Sequence, residues 1–199
     1  DENYFQSLSK FSTYIEKNKT TKFKALKKMY DCSNIKNYEC VYVFDDDCIL
    51  EKGNFKILEN LMLNHNLSLV SPSQSSKGKI SHKVMLNHNG NHKFRYVNFV
   101  EMNFPVFSRK ALEKYMSVYD GELSGWGNDW WYLNILEANN KKCCAVTDKV
   151  VVTNPTEKNK DKSCNIENIA PLQKRIQEWE KIKTKYNLLT WENKTIEFV

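Results

Sequence analysis

The chain has 199 residues, of which 41% are hydrophobic, so it can fold around a substantial core and is not an intrinsically disordered polypeptide. No apolar run approaches the length that spans a bilayer, and the first residues lack a signal-peptide pattern, so we expect no membrane span in this chain. The net charge of +6 favours anionic partners in general, including phosphorylated small molecules and nucleic acid.

The six cysteines indicate the redox state of the compartment in which the protein is expected to work. They include no C-x-x-C pair, so a structural zinc site is not expected. Cys143 and Cys144 are adjacent in an apolar, strand-like run, where a reduced cysteine packs as a small hydrophobic residue. This pattern indicates a reducing compartment. We therefore predict a cytoplasmic location, with a lumenal one left open.

The hydrophobic periodicity predicts strands alternating with helices. Phe23, Leu26 and Tyr30 recur at spacings of three and four, which is typical of one helix face. The CVYVF run at 40–44 is rich in β-branched and aromatic residues, as in a buried strand. In chain order, we predict a strand at 11–16, a helix at 21–31, strand 40–44, helix 54–64, strands 67–70 and 95–102, helices 109–118 and 128–138, one or two strands at 143–152, and a final helix at 170–186.

This alternation predicts an α/β fold with a mainly parallel central sheet between helix layers, in one domain over 1–199. A nucleotide-binding fold of this class places a strand before its first helix, but only a short polar segment precedes residue 11 here. Either residues before Asp1 supply that strand or the sheet begins at an unusual place. The polar stretch at 73–93 predicts a loop or an irregular hairpin. We predict that residues 155–165 form a mobile loop that closes over bound ligand.

Three acidic residues follow the buried strand at 40–44. In open α/β sheets, ligands bind beyond the carboxyl ends of the strands. Three like charges at such a place repel one another unless a cation neutralises them, and a hard divalent ion with oxygen ligands does so. Asp45 and Asp47 are two residues apart and face the same way in extended chain, whereas Asp46 faces a ribose or the backbone. The alternative is a solvated turn without a ligand.

Two enzyme classes place a D-x-D motif at the end of a strand. Glycosyltransferases use it to hold a divalent metal ion against a nucleotide diphosphate. Phosphatases of the haloacid-dehalogenase type use the first Asp as a nucleophile and the second as a general acid. The segment 125–129 partly matches the distal metal loop of the phosphatases, but Trp126 stands where that loop has an acidic residue. A basic nucleic-acid-binding domain is a third alternative, which the lack of clustered Arg with interleaved aromatics disfavours, so we expect no nucleic-acid partner.

Two further segments favour the glycosyltransferase over the other two alternatives. Residues 99–109 are FVEMNFPVFSR, and residues 125–131 are GWGNDWW. Together with VFDDD at 43–47, they resemble the GT-A-type glycosyltransferases of the uncharacterised plant and microbial kind, and also virus-encoded glycosyltransferases of large algal viruses. The resemblance covers roughly residues 38–155, and its V-E-M to W-G-x-D block is more specific than the D-x-D motif. A viral chain would act in the host cytoplasm.

The resemblance implies a role for each matching residue. It implies that Asp45 and Asp47 bind Mn²⁺ or Mg²⁺, and that Asp46 lies with them at the donor. On the acceptor side it implies Glu101 along a strand and Trp126 and Gly127 in the loop that shapes the sugar pocket. It implies that Asp129 is the base that deprotonates the acceptor hydroxyl in an inverting reaction. A carboxylate at a helix N-terminus suits this role, because the helix dipole is expected to keep it ionised.

The sequence also departs from the family at one point. GT-A enzymes often supply a third metal ligand, a His, from a strand near the C-terminus, whereas Thr153 or Asn154 stands in the matching stretch here. Metal binding is therefore expected to be weaker or completed by water. His82, His88 and His92 are irregularly spaced in a polar loop and are predicted to be solvated. Lys22 and Lys24 are predicted to lie on a solvent-facing helix surface.

The sequence thus predicts a metal-dependent glycosyltransferase. The two alternatives are a phosphatase of the haloacid-dehalogenase type and a nucleic-acid-binding domain. The donor is a nucleotide-sugar, with a UDP-sugar favoured, and the acceptor is a glycan or another hydroxyl compound. The divalent metal ion and the donor are the expected cofactors.

Overall fold

The computed structural model describes residues 12, 14, 15, 20–156 and 166–199. The predicted strand at 11–16 and loop at 155–165 fall mainly outside these residues. The helices are α1 (Lys22–Cys32), α2 (Phe55–His65), α3 (Arg109–Met116), α4 (Asn128–Ile135) and α5 (Leu172–Lys185). The strands are β1 (Cys40–Tyr42), β2 (Ile49–Lys52), β3 (Leu69–Gln74), β4 (Arg95–Val97), β5 (Val106–Ser108), β6 (Cys144–Thr153) and β7 (Thr195–Phe198).

All seven strands form one sheet, in which six follow the order β1-β5-β3-β6-β4-β7 and β2 pairs with β6 beside this path. The long strand β6 pairs with β3 along one edge. Along its other edge it pairs first with β4 and then, beyond a few residues, with β2. Within the described part of the chain, the pairing of β3 with β6 is parallel and the other five strand pairings are antiparallel. The fold is therefore mixed α/β with a mostly antiparallel sheet.

The prediction of a mainly parallel sheet is thus wrong, because most strand pairings of the described residues are antiparallel. The strands β1, β3 and β6 do run in one direction, because β1 and β3 are both antiparallel to β5 and β3 is parallel to β6. That much agrees with the alternation of strands and helices. However, β5 lies between β1 and β3, while β2, β4 and β7 add antiparallel pairings. The short strands β2, β5 and β7 were not predicted, and they account for most of the antiparallel pairing.

Helices cover the sheet on both faces, because adjacent residues of its central strands enter different cores. Leu69 of β3 belongs to a large core with residues of α1, α3, α4 and α5. Its neighbour Val70 belongs to a smaller core with Leu58 and Met62 of α2. Both cores exclude water from the central strands, so that β3 is buried along its whole length.

Among the described residues, every helix is too short or too polar to span a bilayer.

A buried ion pair anchors the loop between β3 and β4 to the sheet. The Arg95 guanidinium donates to Asp148 Oδ1 at 2.7 Å and to the carbonyl oxygens of Val84 and Leu86 at 3.1 and 2.7 Å. Asp148 Oδ2 also accepts from the backbone N–H of His88 at 3.2 Å. The predicted loop at 73–93 is therefore held against the core at its centre, next to the cleft described below.

Candidate active site

A cleft of about 1020 Å³ opens beyond the carboxyl ends of β1 and β6. Its walls come from the segment after β1, the segment between β4 and β5, the start of α4, the end of β6 and the start of α5. The structure brings together in this one cleft every residue predicted for the site: Asp45, Asp46, Asp47, Glu101, Trp126, Gly127 and Asp129.

The acidic triplet lies where the chain leaves β1. The backbone continues alongside the segment before β5, since the Asp45 N–H donates to the Asn103 carbonyl at 3.0 Å. The chain then turns, and the Cys48 N–H donates to the Asp45 carbonyl at 3.4 Å. This turn gathers carboxylate oxygens of Asp45 and Asp47 and the Cys48 Sγ within 4.8 Å of one another. Asp46 is exposed at the rim, so it is not part of this group.

Lys22 lies against the acidic group, and not on a solvent-facing surface as predicted. Its Nζ is 2.7 Å from Asp45 Oδ1, and it also donates to the carbonyl oxygens of Met102 and Asn103 at 2.5 and 3.3 Å. Only 17% of its side chain is exposed. The ammonium therefore neutralises part of the acidic charge and joins α1 to the two chain segments that form this wall of the cleft.

Glu101 lies two residues before Asn103 and is buried. Its Oε2 accepts a hydrogen bond from Gln74 Nε2 at 2.7 Å, and Gln74 is the last residue of β3. The carboxylate is thereby held at the end of a central strand. Because the segment 101–103 runs beside Asp45, Glu101 and the acidic triplet line the same cleft.

Asp129 is the second residue of α4 and is only 8% exposed. Burial raises its pKa from the ordinary value of 3.8 to about 7. A hydrogen bond from the Trp130 N–H, at 2.9 Å to Oδ1, acts in the opposite direction, as does the charge of Lys22, whereas the charge of Glu101 raises the pKa further. The expectation that the helix N-terminus keeps this carboxylate fully ionised is therefore wrong, because desolvation outweighs the helix dipole and the hydrogen bond.

The turn before α4 is fixed by buried polar contacts. Asn128 is fully buried, and its side chain accepts from the Tyr115 hydroxyl at 2.8 Å and donates to the Gly125 carbonyl at 2.6 Å. Gly127 has φ of +92°, and a Cβ at this position would overlap the Trp179 indole. The glycine is thus required by the backbone and by α5, whatever its contact with a substrate.

Helix α5 also holds the loop that carries Trp126. Glu178 accepts from the Ser124 N–H at 2.9 Å and from its hydroxyl at 3.2 Å. Trp126 itself is 49% exposed at the cleft, in contrast to Trp131, which is fully buried in the core. Trp130 is intermediate, with its ring 5.0 Å from that of Phe99. Of Trp126, Trp130 and Trp131, Trp126 has the ring face that is most accessible from the cleft.

Several polar residues of the cleft were not predicted as site residues, among them His82 and Asn154. The prediction that His82 is solvated is wrong, since its ring is half-buried, lies 4.4 Å from that of Phe99 and has Nδ1 2.9 Å from Asn193 Nδ2. Burial lowers the pKa of His82, and the charge of Glu101 opposes this. His88 and His92 are exposed, as expected. Asn154 is 6% exposed at the end of β6. The polar run around His82 gave no local signal for that residue, whereas Asn154 had been noted only as standing where the family often has a His ligand.

No protein-family model matches the chain, and no curated protein matches it. Among solved structures, the chain is similar to "Crystal Structure of A197 from STIV", with a TM-score of 0.44 and 14% sequence identity. The similarity covers 65% of this chain and 63% of that chain, so this chain spans less than two thirds of the length of its structural neighbour.

Proposed function

We propose that the protein is a metal-dependent glycosyltransferase that moves a sugar from a nucleotide-sugar to a hydroxyl acceptor with inversion. The observation that carries the proposal is that two different kinds of carboxyl group line one cleft. At one position Asp45 and Asp47 offer clustered oxygen ligands, and at another Asp129 offers a buried carboxyl group with a pKa of about 7.

The residues after β1 fit a divalent cation on their donor chemistry. Carboxylate oxygens are the ligands that Mn²⁺ and Mg²⁺ prefer. Asp45 and Asp47 would hold the ion, which would neutralise the charge that develops on the leaving diphosphate. Lys22 fixes Asp45 through Oδ1 and adds a positive charge beside the position of the phosphates. Asp46, exposed at the rim, is available to the ribose or the base of the nucleotide.

Asp129 is suited to take a proton from an acceptor hydroxyl. A general base is most effective when its pKa lies near the working pH, and a pKa of about 7 leaves this carboxyl half ionised at neutral pH. Glu101 lies close enough to raise that pKa, so its carboxylate also strengthens Asp129 as a base. Glu101 is expected to accept hydrogen bonds from other hydroxyls of the acceptor.

Trp126 provides the third requirement of sugar transfer, a surface for the sugar ring. Half of this indole is exposed at the cleft, and an aromatic face packs well against the C–H groups of a pyranose. A UDP-sugar is the favoured donor, and a glycan or another polyhydroxylated compound is the acceptor. On the cysteine pattern of the sequence, we propose a cytoplasmic location.

Calorimetric titration of UDP-, GDP- and CDP-sugars, with and without Mn²⁺, tests the proposal. We expect one nucleotide class to bind the wild-type protein in the presence of Mn²⁺, and Asp47→Ala to abolish that binding. Asp129→Asn is the matched control, because it should retain donor binding while losing transfer. If no nucleotide-sugar binds with or without metal, the proposal is wrong. Hydrolysis of simple phosphate esters with Mg²⁺, lost in Asp45→Asn, would instead identify a phosphatase.

A further inference from the structure

We infer that the metal centre includes the Cys48 thiolate and Asn154 Oδ1 beside the two aspartates, so that it selects a thiophilic divalent ion over Mg²⁺. This inference rests on the metal site of the proposed function. It adds two ligands to that site and changes the class of ion expected there.

The first observation is the position of Cys48. Its Sγ and carboxylate oxygens of Asp45 and Asp47 lie within 4.8 Å of one another. Metal–oxygen bonds of about 2.1 Å and metal–sulfur bonds of about 2.3 Å place the ligands of one tetrahedral ion about 3.5 Å apart. The three groups are therefore clustered on the scale of one coordination sphere, and metal binding would draw them together around the ion.

The second observation concerns Asn154 and is independent of the first. Its side chain is buried in the cleft wall, and among the described residues nothing hydrogen-bonds its Oδ1. A buried oxygen without a partner is unfavourable, and a bound ligand would offset that cost. The residue is also held firmly, since its carbonyl accepts from the Lys79 N–H at 2.8 Å.

The strand register brings these two residues to the same place. Strands β2 and β6 are antiparallel, with Ile49 opposite Thr153. Continuing this register by one residue sets Cys48 across from Asn154, at the end of the pairing. The neighbouring Thr153 hydroxyl is already engaged by Glu51, so Asn154 is the side chain of β6's carboxyl end that is left for a ligand.

The charges of the described residues support the assignment. Asp45, Asp47 and a Cys48 thiolate carry three negative charges, and Lys22 supplies one positive charge at 2.7 Å from Asp45. A divalent cation would offset negative charge that these three groups place at the turn. Binding displaces the thiol proton to solvent, so that the metal–sulfur bond replaces the S–H bond.

The presence of sulfur determines the preferred ion. Thiolates favour Zn²⁺, Co²⁺ and Cd²⁺, whereas Mg²⁺ requires oxygen ligands in near-ideal octahedral geometry. A site with two carboxylates, one amide oxygen and one thiolate should bind Mn²⁺ more weakly than Co²⁺ and discriminate strongly against Mg²⁺.

Titration of the full chain with Co²⁺ and Mg²⁺, without nucleotide, tests this inference. We expect Co²⁺ to produce a thiolate-to-metal charge-transfer absorption in the near ultraviolet. Cys48→Ser should abolish that absorption and weaken Co²⁺ binding at least about tenfold, with Mg²⁺ binding unchanged. Cys32→Ser, at an exposed cysteine on α1, is the matched control and should retain both. Asn154→Ala should weaken Co²⁺ binding by a similar factor, and Asn154→Asp should restore it.

Alkylation of the wild-type protein provides a measurement that needs no variant to fold. Saturating Co²⁺ should slow modification of Cys48 by iodoacetamide at least about tenfold and leave Cys32 unaffected. Equal Co²⁺ affinity in wild type and Cys48→Ser, or unchanged alkylation of Cys48, would overturn the inference while the proposed function stands. A Co²⁺–thiolate absorption without nucleotide-sugar binding would support the inference and refute the proposed function. Absence of any metal binding would overturn both.

Discussion

Replacing Asp129 with Asn should change how the free energy of unfolding depends on pH. The pKa of Asp129 is raised from 3.8 to about 7 in the folded protein. The folded state therefore holds this proton more tightly than the unfolded chain does. The resulting stability is complete below pH 3.8 and is lost as the pH rises through 7. Between pH 5 and pH 7 the unfolded chain is ionised and the folded one is still protonated, which at about 1.4 kcal/mol per pH unit amounts to about 3 kcal/mol.

Urea denaturation at pH 5 and pH 8, on wild type and Asp129→Asn, measures this effect. The variant keeps an acceptor oxygen for the Trp130 N–H but has no proton to lose, so we expect the wild type to lose about 3 kcal/mol more stability than the variant over this range. Titrating groups that do not interact with Asp129 contribute equally to both proteins. Asp46→Asn, which removes a carboxylate from the exposed rim, controls for the change in net charge. The same pH dependence in wild type and Asp129→Asn would refute the reasoning about burial.

Three further variants test the structure around the cleft. Asp148→Ala leaves the buried Arg95 guanidinium without its carboxylate, so we expect a loss of about 3–5 kcal/mol in urea denaturation. Gly127→Ala introduces a Cβ at φ of +92° against the Trp179 ring and should destabilise by more than about 1 kcal/mol, measured by thermal melting. Trp126→Ala removes a half-exposed ring and should change stability by less than about 0.5 kcal/mol, while weakening nucleotide-sugar or acceptor binding in calorimetry.

Each of these variants has an outcome that contradicts its rationale. A loss below about 1 kcal/mol in Asp148→Ala would mean that Arg95 is not buried as described. A neutral Gly127→Ala would mean that the turn before α4 can move away from α5. Unchanged ligand affinity in Trp126→Ala would remove this residue from the sugar-binding surface, whereas a large loss of stability would indicate a packing role instead.

The helices α1 to α5 were predicted to within a few residues, and in α1, α2 and α5 an apolar face over three or four turns marks the helix. At the start of α3, the Ser108 Oγ caps the helix by accepting from the Ala111 N–H at 3.3 Å. The strands β2, β5 and β7 were missed for a physical reason. They have three or four residues each; β2 is exposed at all four positions, β7 has no buried position, and the buried residues of β5 are only two.

The sequence by itself determined which acidic side chains stand at the carboxyl end of β1 and at the start of α4, because strand ends and helix starts are local features of the chain. Only the tertiary structure decided how these groups behave. Lys22 reaches Asp45 and Met102 across contacts of long sequence separation, and β6 brings Asn154 into the same cleft as the acidic turn. The ionisation of Asp129 depends on how much water the packed helices exclude, and that is a property of the assembled core, which no segment of the chain carries alone.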